Sequence, residues 1–220
     1  MNFVHPIREL EQIKEMKQEL LKGGMRNYLL FTVGINSSFR ISDLISLKVK
    51  DINNRTHIDI IAKKTGKRHY VNVENIQDEI NSYCRNMQSD EYVFKSREKA
   101  KTETDGKYYR WHYNRKTVDG EIVIEREYKP YYLQPDVTGY LPIGRSQAEK
   151  IISDAAINIG IDYPVGTHTM RKTFAYHFYK KTKDIATLQL ILGLDSPKQT
   201  LEYIGITQDM MDCAMANFKL

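Results

Sequence analysis

Cysteine is scarce in this chain: Cys84 and Cys213 are the only two among 220 residues. They leave no disulfide framework and no Cys-x-x-Cys knuckle, which argues against a secreted scaffold and a thiolate-held zinc domain. Long apolar runs are missing too. The longest, Tyr28 to Ile35, is far too short to span a bilayer. The N-terminus MNFVHPIREL has neither the apolar stretch nor the small-residue cleavage site of a signal peptide. No repeat, low-complexity tract or Walker-type glycine loop is present. The expectation is a cytoplasmic, nucleoid-associated protein with no membrane partner.

What is there suits a folded domain, with 41% hydrophobic and 28% charged residues. Lys and Arg number 33 against 28 Asp and Glu, leaving a net charge of +5 that favours a polyanionic partner. Helical spacing of apolar residues marks Pro6–Lys22, Met25–Ile35, Ile41–Leu47 and Glu74–Met87, with Gly23 and Gly24 closing the first. It returns at Ser146–Gly160, Thr169–Lys181, Asp184–Leu192, Pro197–Tyr203 and Asp209–Phe218. Between His57 and Val73 the period changes to two around Lys64-Thr65-Gly66-Lys67, a β-hairpin with a basic tip. The fold class is mainly α (α+β) with small antiparallel β-hairpins.

Residues 97–141 differ from the rest. They hold seven of the fifteen tyrosines, the only tryptophan and a hairpin signal at Asp119-Gly120, and they read as an insertion. Here Lys99, Lys101, Lys107, Arg110, Arg115 and Lys116 interleave with Tyr108, Tyr109, Trp111 and Tyr113. Basic groups could meet phosphates while aromatics stack on bases. Alternatively, the tyrosines fold the hairpin onto the domain surface.

Several polar residues stand out, each with an ordinary structural explanation when taken singly. His168 and Arg171 lie one helical turn apart and can reach one anion. Arg40 precedes a helix, Lys64 sits at a hairpin tip, and Tyr203 lies between apolar neighbours. Their combination carries more. Gly34-Ile-Asn-Ser-Ser-Phe-Arg40-Ile-Ser-Asp43-Leu44 resembles the first-arginine motif of the tyrosine recombinase (phage integrase) family. Ala62-Lys63-Lys64-Thr65-Gly66-Lys67 resembles its catalytic-lysine hairpin, and Thr167-His168-Thr169-Met170-Arg171 its His-x-x-Arg box. Ile191-Leu192-Gly193-Leu194-Asp195-Ser196-Pro197 through Tyr203 resembles the box that ends in the nucleophile. The four motifs occur in family order and cover residues 6–95 and 142–208.

The resemblance implies a DNA recombinase or integrase that works without metal, cofactor or ATP. Arg40 and Arg171 would clamp the non-bridging oxygens of a scissile phosphate, since guanidinium matches phosphate geometry and keeps its charge. Tyr203 would attack phosphorus to give a 3′-phosphotyrosine, Lys64 would protonate the departing 5′-oxygen, and His168 would orient or exchange a proton. Asp43 would hold Arg40 in place. Lys63, Lys67, Arg68, Arg110, Arg145 and Lys172 are expected to bind double-stranded DNA. Two features depart from the family pattern. Leu194 stands where most members carry His or Trp, and leucine offers the phosphate no hydrogen bond. The chain also begins almost at the catalytic domain, so residues 1–220 read as one catalytic domain without an N-terminal core-binding domain. The apolar stripe at about 207–220 forms a tail helix. It packs on its own domain or, by the resemblance, docks in trans within a tetramer on DNA. A relaxing enzyme like a type IB topoisomerase and a non-catalytic DNA-binding relative are the rival readings.

Overall fold

In the computed structural model, residues 4–100, 109–118, 121–130, 133–205 and 215–216 are described. Helix α1, Leu10–Lys22, buries Met16 and Leu20, while Leu10 in its first turn stays exposed. The apolar spacing predicts a helix from Pro6, but residues 4–9 are irregular and cross a later helix, α7 (Thr167–Thr182). Ile7 donates its N–H to Thr173 Oγ1 at 2.9 Å, and its carbonyl meets His177 Nε2 at 3.0 Å. Three-residue spacing is satisfied here by a chain lying on a helix rather than by a helix. Gly24, at φ +106°, makes the turn into α2, Met25–Ser37.

Helix α2 is buried through Leu29, Leu30, Phe31 and Val33. A Cβ on its Gly34 would lie 2.5 Å from Met170 Sδ of α7, so these two helices approach at a distance that suits glycine. The next helix, α3, is only Ile41–Leu44, shorter than the predicted Ile41–Leu47, although Leu44 and Leu47 are both buried as expected. A second short helix, α4 (Val49–Ile52), follows. Strands β1 (His57–Ile61) and β2 (Arg68–Asn72) pair antiparallel from His57↔Asn72 to Ile61↔Arg68. In β2 only His69 and Val71 are buried, the period-two pattern of a strand with one face inward. A 3-10 turn, Glu74–Ile76, leads into α5, Gln77–Cys84.

Strand β3, Lys95–Lys99, pairs with β6, Tyr140–Pro142, across a long excursion. Asp136 holds the returning chain: it accepts hydrogen bonds from the Tyr92, Thr138 and Tyr140 N–H groups and the Thr138 hydroxyl. Within the excursion, β4 (Tyr109–Val118) and β5 (Glu121–Pro130) pair antiparallel from Tyr109↔Pro130 to Val118↔Glu121. The turn signal at Asp119-Gly120 lies outside the described residues.

Helices α6 (Arg145–Asn158), α7, α8 (Ile185–Leu192) and α9 (Pro197–Ile204) complete the described chain. Asp184 caps α8, accepting the Thr187 N–H at 2.9 Å. The tail helix expected at about 207–220 falls outside the described residues except for 215–216. A large core joins α1, α2, α3, α5, α6 and the β1–β2 hairpin, and includes Met170 of α7. A smaller one gathers Ala175 of α7 with Leu188, Leu192 and Ile204 of α8 and α9. Helix α7 is the seam between them. The fold is therefore mainly helical with small antiparallel strand pairs, as the periodicity implies. Among the described residues no helix is long and apolar enough to cross a membrane.

Candidate active site

The site is built around the start of α7. Glu149 of α6 accepts the Thr167 N–H at 2.8 Å and the Thr167 hydroxyl at 2.7 Å, and the Thr169 hydroxyl accepts the Gly166 N–H at 3.1 Å. These bonds satisfy donors that a helix start leaves open. A Cβ on Gly166 would fall 2.0 Å from Glu149 Oε1, so a bare backbone is what admits the carboxylate. With the first turn fixed, Arg171 points inward at 2% exposure. Its Nη1 donates to the Ser38 carbonyl and its Nη2 to the Leu192 carbonyl, tying α7 to the α2–α3 loop and to the end of α8. Ser38 presents that carbonyl from a left-handed conformation, φ 61°. A guanidinium has five N–H donors, so Arg171 retains donors for a ligand.

Arg40 stands at the start of α3, and its Nη1 is buried without a hydrogen-bond partner. Its charge and that of Arg171 repel, and burial together with Arg40 pushes the Arg171 guanidinium below its ordinary pKa. Two neighbouring cations, one with an orphaned buried donor, form an arrangement that is able to accept an anion. Asp43 is 2% exposed, and its Oδ1 accepts the Lys63 N–H at 2.9 Å, so the carboxylate fastens the β1–β2 hairpin to α3. Partial burial lowers the pKa of the Lys63 amine, with Asp43 opposing.

Lys64 is exposed at the hairpin tip, beside the positive-φ Gly66, and is not gathered with the buried groups. Lys67 pairs with Asp195 at 3.0 Å, and Arg68 engages Asp59 at 2.7 and 2.5 Å. Arg145 is exposed at the start of α6. Lys172 turns inward instead of outward: it is 9% exposed and its Nζ donates to the Val4 carbonyl at 2.8 Å, because the N-terminal segment covers it. The backbone of Arg110 pairs with Lys129 on the β4–β5 hairpin; its side chain lies outside the described residues.

Tyr203 on α9 brings its ring centroid 5.7 Å from Arg171 Cζ and 5.8 Å from Lys172 Nζ. Burial raises the phenol pKa, while the Arg171 and Arg40 charges oppose the rise. His168, one turn before Arg171, is an exposed residue at the start of α7; partial desolvation of its ring lowers its pKa, Glu149 opposes, and Arg145, Arg171 and Lys172 add to the fall. Leu194 packs on the small core, as Tyr203 does, and its carbonyl accepts Gln189 Nε2 at 3.2 Å. The motifs passed over His69, which is 6% exposed among the same charges. The alternation of β2 was the signal that could have found it.

Comparison with known proteins identifies the family. The model of the phage integrase family matches residues 8–209. The chain belongs to the phage integrase family. A probable integrase/recombinase of Bacillus subtilis (strain 168), YoeC, is 39% identical over 219 residues, covering 99% of this chain and 98% of that protein. The crystal structure of XerA recombinase superposes with a TM-score of 0.65 at 19% identity, over 98% of this chain and 67% of that one. XerH recombinase, in a post-cleavage complex with its palindromic difH substrate, gives 0.64 at 16% identity over 98% of this chain. This chain spans 53% of the XerH chain. Phage integrase relatives are tyrosine recombinases, and this chain is an enzyme of that family with its catalytic-domain fold.

Proposed function

We propose that this chain cuts and rejoins DNA at specific sites through a 3′-phosphotyrosine on Tyr203. The observation that carries the reading is the buried, unpartnered Arg40 Nη1 beside Arg171, with the Tyr203 ring 5.7 Å from the latter. A phosphodiester gains negative charge on its non-bridging oxygens as the pentacoordinate transition state forms. Arg40 and Arg171 stabilise that charge, and preorganised charge of this kind is usually the largest catalytic term. Tyr203 attacks phosphorus and the 5′-oxygen leaves with a proton. The covalent link conserves the bond for rejoining. Lys64 supplies the leaving-group proton once the hairpin tip meets DNA, and His168 orients the phosphate or the phenol. Asp43 supports the clamp by fixing the hairpin that carries Lys63 and Lys64.

Double-stranded DNA is the partner, contacted by Lys63, Lys67, Arg68, Arg110 and Arg145. Residues 1–220 act as one catalytic domain with residues 97–141 as an insertion. Copies assemble on DNA, in keeping with the palindromic substrate to which XerH is bound, with the segment after Gly205 as the exchanged tail. Leu194 favours one second reading, a DNA-binding relative with impaired chemistry. Incubation with nicked duplexes carrying candidate sites separates the two. An SDS-stable protein–DNA adduct that Tyr203→Phe abolishes is the expected result. Binding without an adduct would support the regulator.

A further inference from the structure

The motif that departs from the family leaves one side of the phosphate seat without a donor, since Leu194 is packed against an apolar cluster. The structure places an imidazole beside that gap from another element. His69 lies on β2, and a Cβ on Gly193, the residue before Leu194, would sit 3.5 Å from His69 Nε2. The ring is 6.2 Å from that of Phe39, the residue before Arg40. The charges that act on it are Arg171, Arg40, Asp43 and Lys67, so the ring faces both arginines from the hairpin.

Its strand position makes the residue type informative. In β2 the inward positions are His69 and Val71, and the latter joins the hydrophobic core. An apolar residue would be the ordinary occupant of such a site. His69 is 6% exposed. Burial and the Arg171 and Arg40 charges lower its pKa, Asp43 opposing and Lys67 adding to the fall. The ring is therefore kept neutral near pH 7, with one N–H to donate.

We infer that His69 is a further catalytic group, whose imidazole N–H donates to a non-bridging oxygen of the phosphate held by Arg40 and Arg171, on the side where Leu194 has no donor. The inference rests on the strand-cleavage reading above, deepens it, and can fail separately.

Two measurements test it. The first is the rate of covalent adduct formation on nicked duplexes, with affinity for the same duplex measured in parallel. His69→Ala is expected to slow the adduct about 100-fold while binding holds. His69→Gln, which keeps a donor and most of the bulk, retains part of the rate and covers the case in which the alanine variant fails to fold. Adding Leu194→His to His69→Ala recovers part of the loss, because both positions face one phosphate. A double variant no faster than His69→Ala overturns the pairing of His69 with position 194. Adduct formation by a folded His69→Ala at the unmodified rate overturns the inference and leaves the strand-cleavage reading standing.

The second measurement does not need cleavage. Long-range nitrogen–proton NMR of the histidine rings is recorded while inorganic vanadate, a mimic of pentacoordinate phosphorus, is added. The His69 ring signals, assigned by their loss in His69→Gln, are expected to move. If no duplex yields an adduct but these signals move, the cleavage reading falls and His69 stands as a phosphate ligand. Signals that stay fixed overturn the role of His69 whatever the adduct assay shows.

Discussion

Arg40 and Arg171 carry the same charge into one seat, yet the fold depends on them differently. Arg171 holds the Ser38 and Leu192 carbonyls, whereas Arg40 Nη1 holds nothing. Arg171→Ala strands two buried acceptors, so it should lose about 2–3 kcal/mol of stability and at least 100-fold in adduct rate. Arg40→Ala removes an unsatisfied cation. It should lose adduct rate to the same degree while urea unfolding shows unchanged or greater stability. Equal destabilisation by both would mean that Arg40 has a structural partner. The two site histidines add a pH dependence. The folded pKa of both His69 and His168 lies below the unfolded value of about 6.5. Below that value the unfolded chain binds protons that the folded chain refuses, so stability falls as pH drops through 6.5 toward 5. His69→Gln should flatten part of that slope in thermal unfolding measured across the range.

At the scale of elements, the site exists because α2 and α7 lie close enough for the Ser38 carbonyl to reach Arg171. Gly34 permits this, since its missing Cβ would meet Met170 Sδ at 2.5 Å and Met170 Cβ at 3.2 Å. Gly34→Ala gains helix propensity on α2 but overpacks the joint. The second effect should win, with a net loss of about 1–3 kcal/mol in urea unfolding. Adding Met170→Ala should recover much of it; no recovery would place the strain elsewhere. How much could be read beforehand follows the range of the forces. The long helices and the β1–β2 hairpin were legible because each is fixed by its own period of three to four or of two. Helix α4 was not, because four residues are too few to display a period. The β3–β6 pair was not, because its strands meet through a register that no local pattern encodes. Pro6–Glu9 misled for a related reason: Ile7 is buried by α7, far away in sequence. The family motifs name the arginines, His168 and Tyr203, and the fold brings Arg40, Arg171 and Tyr203 near one another. The ties made by Asp43 to Lys63 and by Glu149 to Thr167 became visible only with the chain folded.

Over the whole molecule, two cores share α7, and the proposed phosphate seat of Arg40 and Arg171 lies along that seam. The β1–β2 hairpin reaches across it through the Lys67–Asp195 pair, joining the large core to the loop before the Tyr203 helix. Both partners are largely exposed, so the pair is worth little as stability and is replaceable by DNA phosphates competing for Lys67. The β4–β5 hairpin stands apart from this arrangement. Every side chain from Val123 to Glu127 is exposed, including Val123 at 41% and Ile124 at 65%. These two neighbours point to opposite faces of β5, so neither face of this stretch is covered by the domain. Its long excursion starts and ends at the β3–β6 pair, which Asp136 holds independently through Tyr92, Thr138 and Tyr140. Replacing residues 101–131 by a short Gly-Ser link should therefore leave the thermal midpoint within a few degrees. Duplex affinity should fall about tenfold at 0.1 M salt, and the slope of log affinity against log salt should become shallower by about two, roughly one for each phosphate the protein no longer engages. An unchanged slope with lowered affinity would assign the exposed Val123 and Ile124 to stacking or packing rather than charge. Unchanged affinity would detach the hairpin from DNA altogether and confine the proposed duplex contact to the seam of the two cores.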